Sequence, residues 1–228
     1  MTPPVRKPHV AGTFYPADPE ILRKNLADLV EPSGSLIRPK AVVLPHAGYV
    51  YSGRTAGEVI RRTQIPETCF LVGPNHWGIG PPFTVVSEGT WETPLGPVAI
   101  DRDFASALLE ASHDLRSSDE AHEKEHSLEV EVPFLQYRNP KVRIVPLVVG
   151  TLDWDRSAEV ARSLIECFKT RPQVLIVAST DMTHYETDEA TRKKDRYALE
   201  AIEALDPEGL RKAVSERHIT MCGALPVY

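Results

Sequence analysis

Cys69-Phe-Leu-Val-Gly-Pro-Asn-His76 is the stretch that decides the fold. A short apolar run closed by Gly and Pro reads as a buried parallel strand. Two other stretches are built alike: Ala41-Val-Val-Leu-Pro-His46 and Val174-Leu-Ile-Val-Ala-Ser-Thr-Asp-Met-Thr-His184. Each ends in a histidine. Ligands of open α/β sheets bind beyond the carboxyl ends of the strands. If the three strands run the same way, three imidazoles meet at one sheet edge. Imidazole binds metals and moves protons near neutral pH.

Outward from these runs, strand and helix signals alternate. Asp18-Pro19-Glu20 has the form of an N-cap, a first-turn proline and a first-turn acid. The helix after it carries Ile21, Leu22, Leu26, Leu29 and Val30 on one side. Strands are expected at 40–45, 68–73, 142–149 and 174–178, and helices at 53–62, 102–112, 154–169, 188–204 and 207–217. Residues 82–100 read as a β-rich excursion with a turn at Thr93-Pro94-Leu95-Gly96, an antiparallel addition to the sheet. Ser117–Lys124 reads as a charged loop. A helix is expected from His126 to about Tyr137, kinked or interrupted at Pro133. The pattern predicts a single α/β domain over residues 1–228, with a mostly parallel or mixed central sheet and helices on both faces.

The chain has 228 residues, enough for one such domain, and a net charge of -6. It shows no basic stripe, which argues against nucleic acid and anionic membranes as partners. No apolar stretch approaches the roughly 20 residues that span a bilayer. The N-terminus lacks the apolar core of a signal peptide. Three widely spaced cysteines do not form a disulfide framework, so a reducing cytoplasm is the expected compartment. Cys69 and Cys167 lie in apolar runs and read as core residues. Cys222 sits between elements, beside Gly223.

Four groups of residues carry candidate chemistry. Pro45-His46-Ala47-Gly48-Tyr49 and Gly73-Pro74-Asn75-His76-Trp77-Gly78 place a histidine on a tight turn after a strand, the second with an indole as pocket wall. Asp181 and His184 are a carboxylate and an imidazole three residues apart, an acid–base pair or an orienter with its histidine. Cys222 could supply a thiolate, a metal ligand or nucleophile according to its surroundings. His122-Glu123-Lys124-Glu125-His126 matches the zinc motif H-E-x-x-H. Its charged composition argues for a surface loop rather than a buried metalloprotease helix. His126 opens an amphipathic stretch in which Glu129 lies one turn on. His9, His113 and His218 read as unremarkable.

Seven motifs then occur in a fixed order: Ala11-Gly-Thr-Phe-Tyr-Pro16, Pro45-His-Ala-Gly-Tyr49, Gly73-Pro-Asn-His76, Thr93-Pro-Leu-Gly96, Glu125-His-Ser-Leu-Glu129, Ser179-Thr-Asp-Met-Thr-His184 and Thr220-Met-Cys-Gly223. Their order strongly resembles the Memo family, whose bacterial and archaeal members are called AmmeMemoRadiSam system protein B. The resemblance covers essentially the whole chain. It implies a fold related to the LigB-type class III non-haem iron extradiol dioxygenases, which bind Fe(II) with two histidines and a carboxylate. Carried over, it implies metal ligands His46, His76 and Cys222, with Asp181 and His184 beside them as proton-handling groups. Tyr49, Asn75, Trp77, His126 and Glu129 would line or support the pocket. An iron or copper ion and redox chemistry are implied, together with a functional link to a radical SAM protein. A thiolate in place of the carboxylate shifts metal preference toward Cu(I), Zn or thiolate-bound Fe and away from ordinary extradiol cleavage. The family carries a further helix and strand after the Thr-Met-Cys-Gly motif, which this sequence, ending at Tyr228, is expected to lack.

Three functions compete at this level. One is a metal protein with redox or oxygenase-like activity on an unknown substrate. Another is a binding module for a phosphorylated or carboxylated peptide or small ligand, using the same imidazoles and the helix start after Ser52-Gly53-Arg54. A third is a zinc hydrolase built on His122, Glu123 and His126.

Overall fold

The computed structural model describes residues 3–31 and 34–228. In chain order its elements are β1 (Val5–Arg6), α1 (Pro19–Val30), β2 (Ala41–Leu44), α2 (Tyr49–Ile60), β3 (Thr68–Pro74), β4 (Phe83–Val85), β5 (Thr90–Thr93), β6 (Gly96–Ala99), α3 (Arg102–Ala111), β7 (Leu115–Ser117), α4 (Glu120–Glu123), α5 (Val132–Arg138), β8 (Arg143–Val149), α6 (Trp154–Thr170), β9 (Leu175–Ser179), α7 (Asp188–Glu203), α8 (Pro207–Glu216) and α9 (Ala224–Val227). A six-stranded sheet has the order β2-β9-β3-β8-β4-β7. It is parallel from β2 to β8, and β4 runs antiparallel to β8. The three strands that end in histidine turns, β2, β9 and β3, are therefore neighbours pointing the same way. All seven residues of β3 are buried, as a central parallel strand requires.

Helices cover the sheet. Val43, Phe70, Val72 and Ile176 share one apolar cleft with Val160 and Leu164 of α6 and Leu225 of α9. These sheet residues alternate along their strands, so they lie on a common face. Helices α1, α2 and α5 pack together as a second group, α2 against β2. Asp18 caps α1 through the amides of Glu20 and Ile21.

Four expectations need correction. The hairpin β5–β6 does not extend the main sheet; it joins β1 in a separate three-stranded sheet. Only β4 of that excursion enters the main sheet. Residues 117–124 are not a plain loop, because β7 and the short α4 occupy part of them. The helix expected from His126 is a loop, a 3-10 turn at Glu129–Glu131, and then α5. Pro133 sits in the first turn of α5, where its missing N–H costs nothing. Helix α2 begins at Tyr49, so Ser52-Gly53-Arg54 lies inside it and offers no free N-terminal amides. No helix of the described residues is long and apolar enough to cross a membrane.

Candidate metal centre

The turns after β2 and β3 bring His46 and His76 together across β9, with ring centroids 5.2 Å apart. A third ring joins them. His126 stacks on His76 at 4.6 Å and meets His46 edge-on at 5.5 Å. One nitrogen from each ring lies within 4.8 Å of the others. Cys222 closes the group, its Sγ 3.2 Å from His46 Nε2.

Local sequence explains why these groups converge. Gly73 lacks the Cβ that would strike Leu128 at 2.7 Å, so the loop before the 3-10 turn lies flat on the end of β3. Ser127 Oγ ties that loop to the Pro74 carbonyl. Gly223 serves likewise at the other side. A Cβ there would sit 2.2 Å from the Ser179 carbonyl oxygen. The turn holding Cys222 thus presses directly on the end of β9. Asp181 fastens both sides: its Oδ1 accepts from the His46 and Ala47 amides, and its own amide donates to Cys222 Sγ.

A second ring of groups fixes the imidazoles. His76 Nδ1 lies 2.8 Å from Glu125 Oε1, and the His76 amide donates to Glu125 Oε2. His46 Nδ1 lies 2.8 Å from Ser179 Oγ. In both rings the Nδ1 side is held, which turns Nε2 toward the cluster. Arg6 reaches over from β1 to the carbonyls of His122 and Glu125 and to the carboxylate of Glu129. Glu129 also accepts from the His9 and Val10 amides and the Tyr15 hydroxyl. Glu129 is therefore the anchor of the N-terminal segment, whose Phe14 ring lies 4.8 Å from His126.

Electrostatics follow from this packing. Burial disfavours a charged His76, but bonds to Cys222 and Glu125 outweigh it and raise the imidazole to about 10. Burial also opposes the Cys222 thiolate, yet His46 and His76 bring that thiol down to about 6. Burial drives His126 down to about 4. Glu125, despite its burial, is held at about 2 by His76 and by amide bonds. Metal-free, the cluster thus keeps a proton on His76 beside an easily formed thiolate.

Other expected residues occupy different places. His184 stands outside the three-ring group and binds Thr220: its Nδ1 donates to the Thr220 carbonyl. That carbonyl only accepts, so Nδ1 carries a proton; Thr220 lies two residues along the chain from Cys222. Asp181 Oδ2 lies 4.0 Å from His46 Nε2. Tyr49 is buried, its ring against Tyr15 and Phe134 and its hydroxyl on the Val130 carbonyl. Asn75 shapes the turn by accepting from the Trp77 and Gly78 amides. Trp77 is more than half exposed and donates to the Lys124 carbonyl.

The H-E-x-x-H match does not form a zinc helix. Helix α4 ends at Glu123, before His126. His122 is not a surface residue as expected; it is buried, its Nε2 on the Thr84 carbonyl and its ring beside Trp91. Burial lowers it to about 4.

Comparison with known proteins identifies the family. Residues 6–228 match the family model described as Memo-like protein. The chain belongs to the Memo family. Similar relatives, each called a MEMO1 family protein, occur in Aquifex aeolicus at 46% identity and Archaeoglobus fulgidus at 43%. The matches cover 97% and 96% of this chain and 83% of each relative. A relative from Methanopyrus kandleri is 39% identical over 97% of the chain and 83% of its own length. The order of motifs had implied this Memo membership and a LigB-like α/β architecture. Sequence reasoning missed Glu125 and Ser179 as the groups that fix the rings, and placed His126 only at the pocket edge. The run Glu125-His-Ser-Leu-Glu held a signal, since acids and a histidine sit there among residues that turn out to be buried.

Proposed function

We propose that this Memo-family chain binds an iron or copper ion at His46, His76 and Cys222, with His126 as a further donor, and carries metal-dependent redox or oxygenase-like activity. The supporting observation is the convergence of three ring nitrogens within 4.8 Å of one another, with a thiol 3.2 Å from one of them. The donor set fits the ion. Imidazole and thiolate suit borderline and soft first-row metals. Bound there, the ion would supply one-electron chemistry and a point for activating dioxygen. The chain's own residues do the rest. Glu125 and Ser179 orient His76 and His46, Asp181 holds the Cys222 turn, and His184, tied to Thr220 of the same turn region, is the proton-handling group.

Anaerobic purification followed by elemental analysis tests this. About one iron or copper per chain is expected, falling to background in the His46→Ala, His76→Ala double variant. Unchanged stoichiometry in that variant would remove the proposal. A second reading rests on the raised His76, which is a partly exposed cation in the metal-free protein. It suits a phosphorylated or carboxylated ligand. Calorimetry with a phosphopeptide, with and without chelator, separates the two, because a pure binding module needs no metal.

A further inference from the structure

The hydroxyl of Ser179 has three close neighbours and only one proton to give. They are the Ser127 carbonyl at 2.7 Å, Glu131 Oε1 at 3.0 Å and His46 Nδ1 at 2.8 Å. A hydroxyl offers one donor and two acceptor lone pairs. A carbonyl oxygen only accepts, so the Ser179 proton belongs to Ser127. The other two neighbours must then bring protons of their own. We infer that Glu131 is a neutral carboxylic acid which donates to Ser179 and so keeps a proton on Nδ1 of His46, leaving Nε2 to serve the cluster.

The surroundings agree. Glu131, Ser179 and Ser127 are completely buried, and His46 nearly so. Glu131 Oε2 has no hydrogen-bond partner among the described residues. An unpartnered buried oxygen costs far less on a neutral acid than on an ionised one. Burial is the largest influence on Glu131 and favours the neutral acid, and Asp181 acts in the same direction by repelling a second carboxylate. A proton donated by Ser179 would favour the charged form, but that proton is committed to Ser127. The nearby Tyr49 hydroxyl is committed to the Val130 carbonyl and offers no proton. An ionised Glu131 would compete with Ser127 for the single Ser179 proton and leave two oxygens in contact with none between them. Glu131 is in this sense a positioning residue, acting on His46 through Ser179. The inference depends on the proposed metal site only for what Nε2 does; the proton positions stand apart from it.

Infrared difference spectra of metal-free protein, wild type against Glu131→Gln, test the protonation directly. A buried carboxylic-acid carbonyl band is expected at neutral pH in the wild type alone. Nitrogen NMR should find a proton on Nδ1 of His46. The Glu131→Gln variant carries an amide N–H where the acid proton was. Its iron affinity should therefore stay within about two-fold of wild type, whereas Ser179→Ala should lose about 10–100-fold. Absence of the band, a bare His46 Nδ1, or a loss in Glu131→Gln as large as in Ser179→Ala would each overturn the inference. If the wild type binds no metal, the metal site fails while the band and the nitrogen signal still decide Glu131.

Discussion

Replacing Glu129 with alanine should be among the most damaging single changes in this chain. The carboxylate is 2% exposed and meets the Arg6 guanidinium at 2.7 Å. It also serves the His9 and Val10 amides and the Tyr15 hydroxyl. Deleting one partner of a buried ion pair costs about 3–5 kcal/mol, and each orphaned neutral donor about 1–3 kcal/mol. Arg6 would keep the His122 and Glu125 carbonyls, and water would reach part of a loosened segment. A net loss of about 5 kcal/mol is therefore expected. For a chain of this length that lowers Tm by roughly 10–20 °C. Hydrogen exchange should show where the loss falls: the amides of His9 and Val10 lose protection first, and His126 loses its cover from Phe14. Calorimetry gives the total and exchange mass spectrometry the place. A Tm drop of less than about 3 °C with unchanged protection at His9 and Val10 would refute the account of Glu129 as an anchor.

Three further outcomes are expected. His122 is buried neutral with a folded value near 4 against 6.5 unfolded, so only the unfolded chain takes up its proton between those values. Stability should fall by about 1.4 kcal/mol per unit across that window and no further below it, about 3 kcal/mol in all; His122→Gln, which keeps an N–H for Thr84, should flatten this slope in urea titrations at stepped pH. In metal-free protein Cys222 should alkylate readily at neutral pH with an inflection near 6, while Cys69, buried and raised to about 12, stays inert; peptide mapping showing the reverse order would count against the imidazole–thiol contacts. Gly223→Ala forces a Cβ against the Ser179 carbonyl and Thr180. It should cost about 1–3 kcal/mol and return the Cys222 inflection toward an ordinary thiol, a shift seen in the same alkylation profile.

Much of this was legible in the chain. Three apolar runs ending in histidine read as buried parallel strands, and β2, β9 and β3 are parallel and adjacent in the sheet. Residues 126–131 were harder. Glu129 and Glu131 alternate with Val130 and Val132, so the stretch reads as amphipathic, yet all four are buried. A 3-10 turn wrapped on every side has no solvent face, so periodicity carries no information there. His126 was placed only at the pocket edge for the same reason: it sits in irregular backbone, fixed by Gly73 and Ser127 rather than by any repeat. The run before His184 looks like those before His46 and His76, although His184 was assigned to proton handling beside Asp181 rather than to the ligand set. The chain, however, leaves β9 at Ser179, and five more residues carry it out to Thr220.

The contact between His46 and Cys222 joins positions 176 residues apart. Contacts of such sequence separation are slow to form, because the chain must close a long loop before they repay its entropy. Until that closure, the Cys222 thiol has none of the imidazoles that activate it and behaves as an ordinary cysteine. Its reactivity is therefore a clock on folding: pulsed alkylation during refolding would mark the moment at which the two ends of the domain first meet.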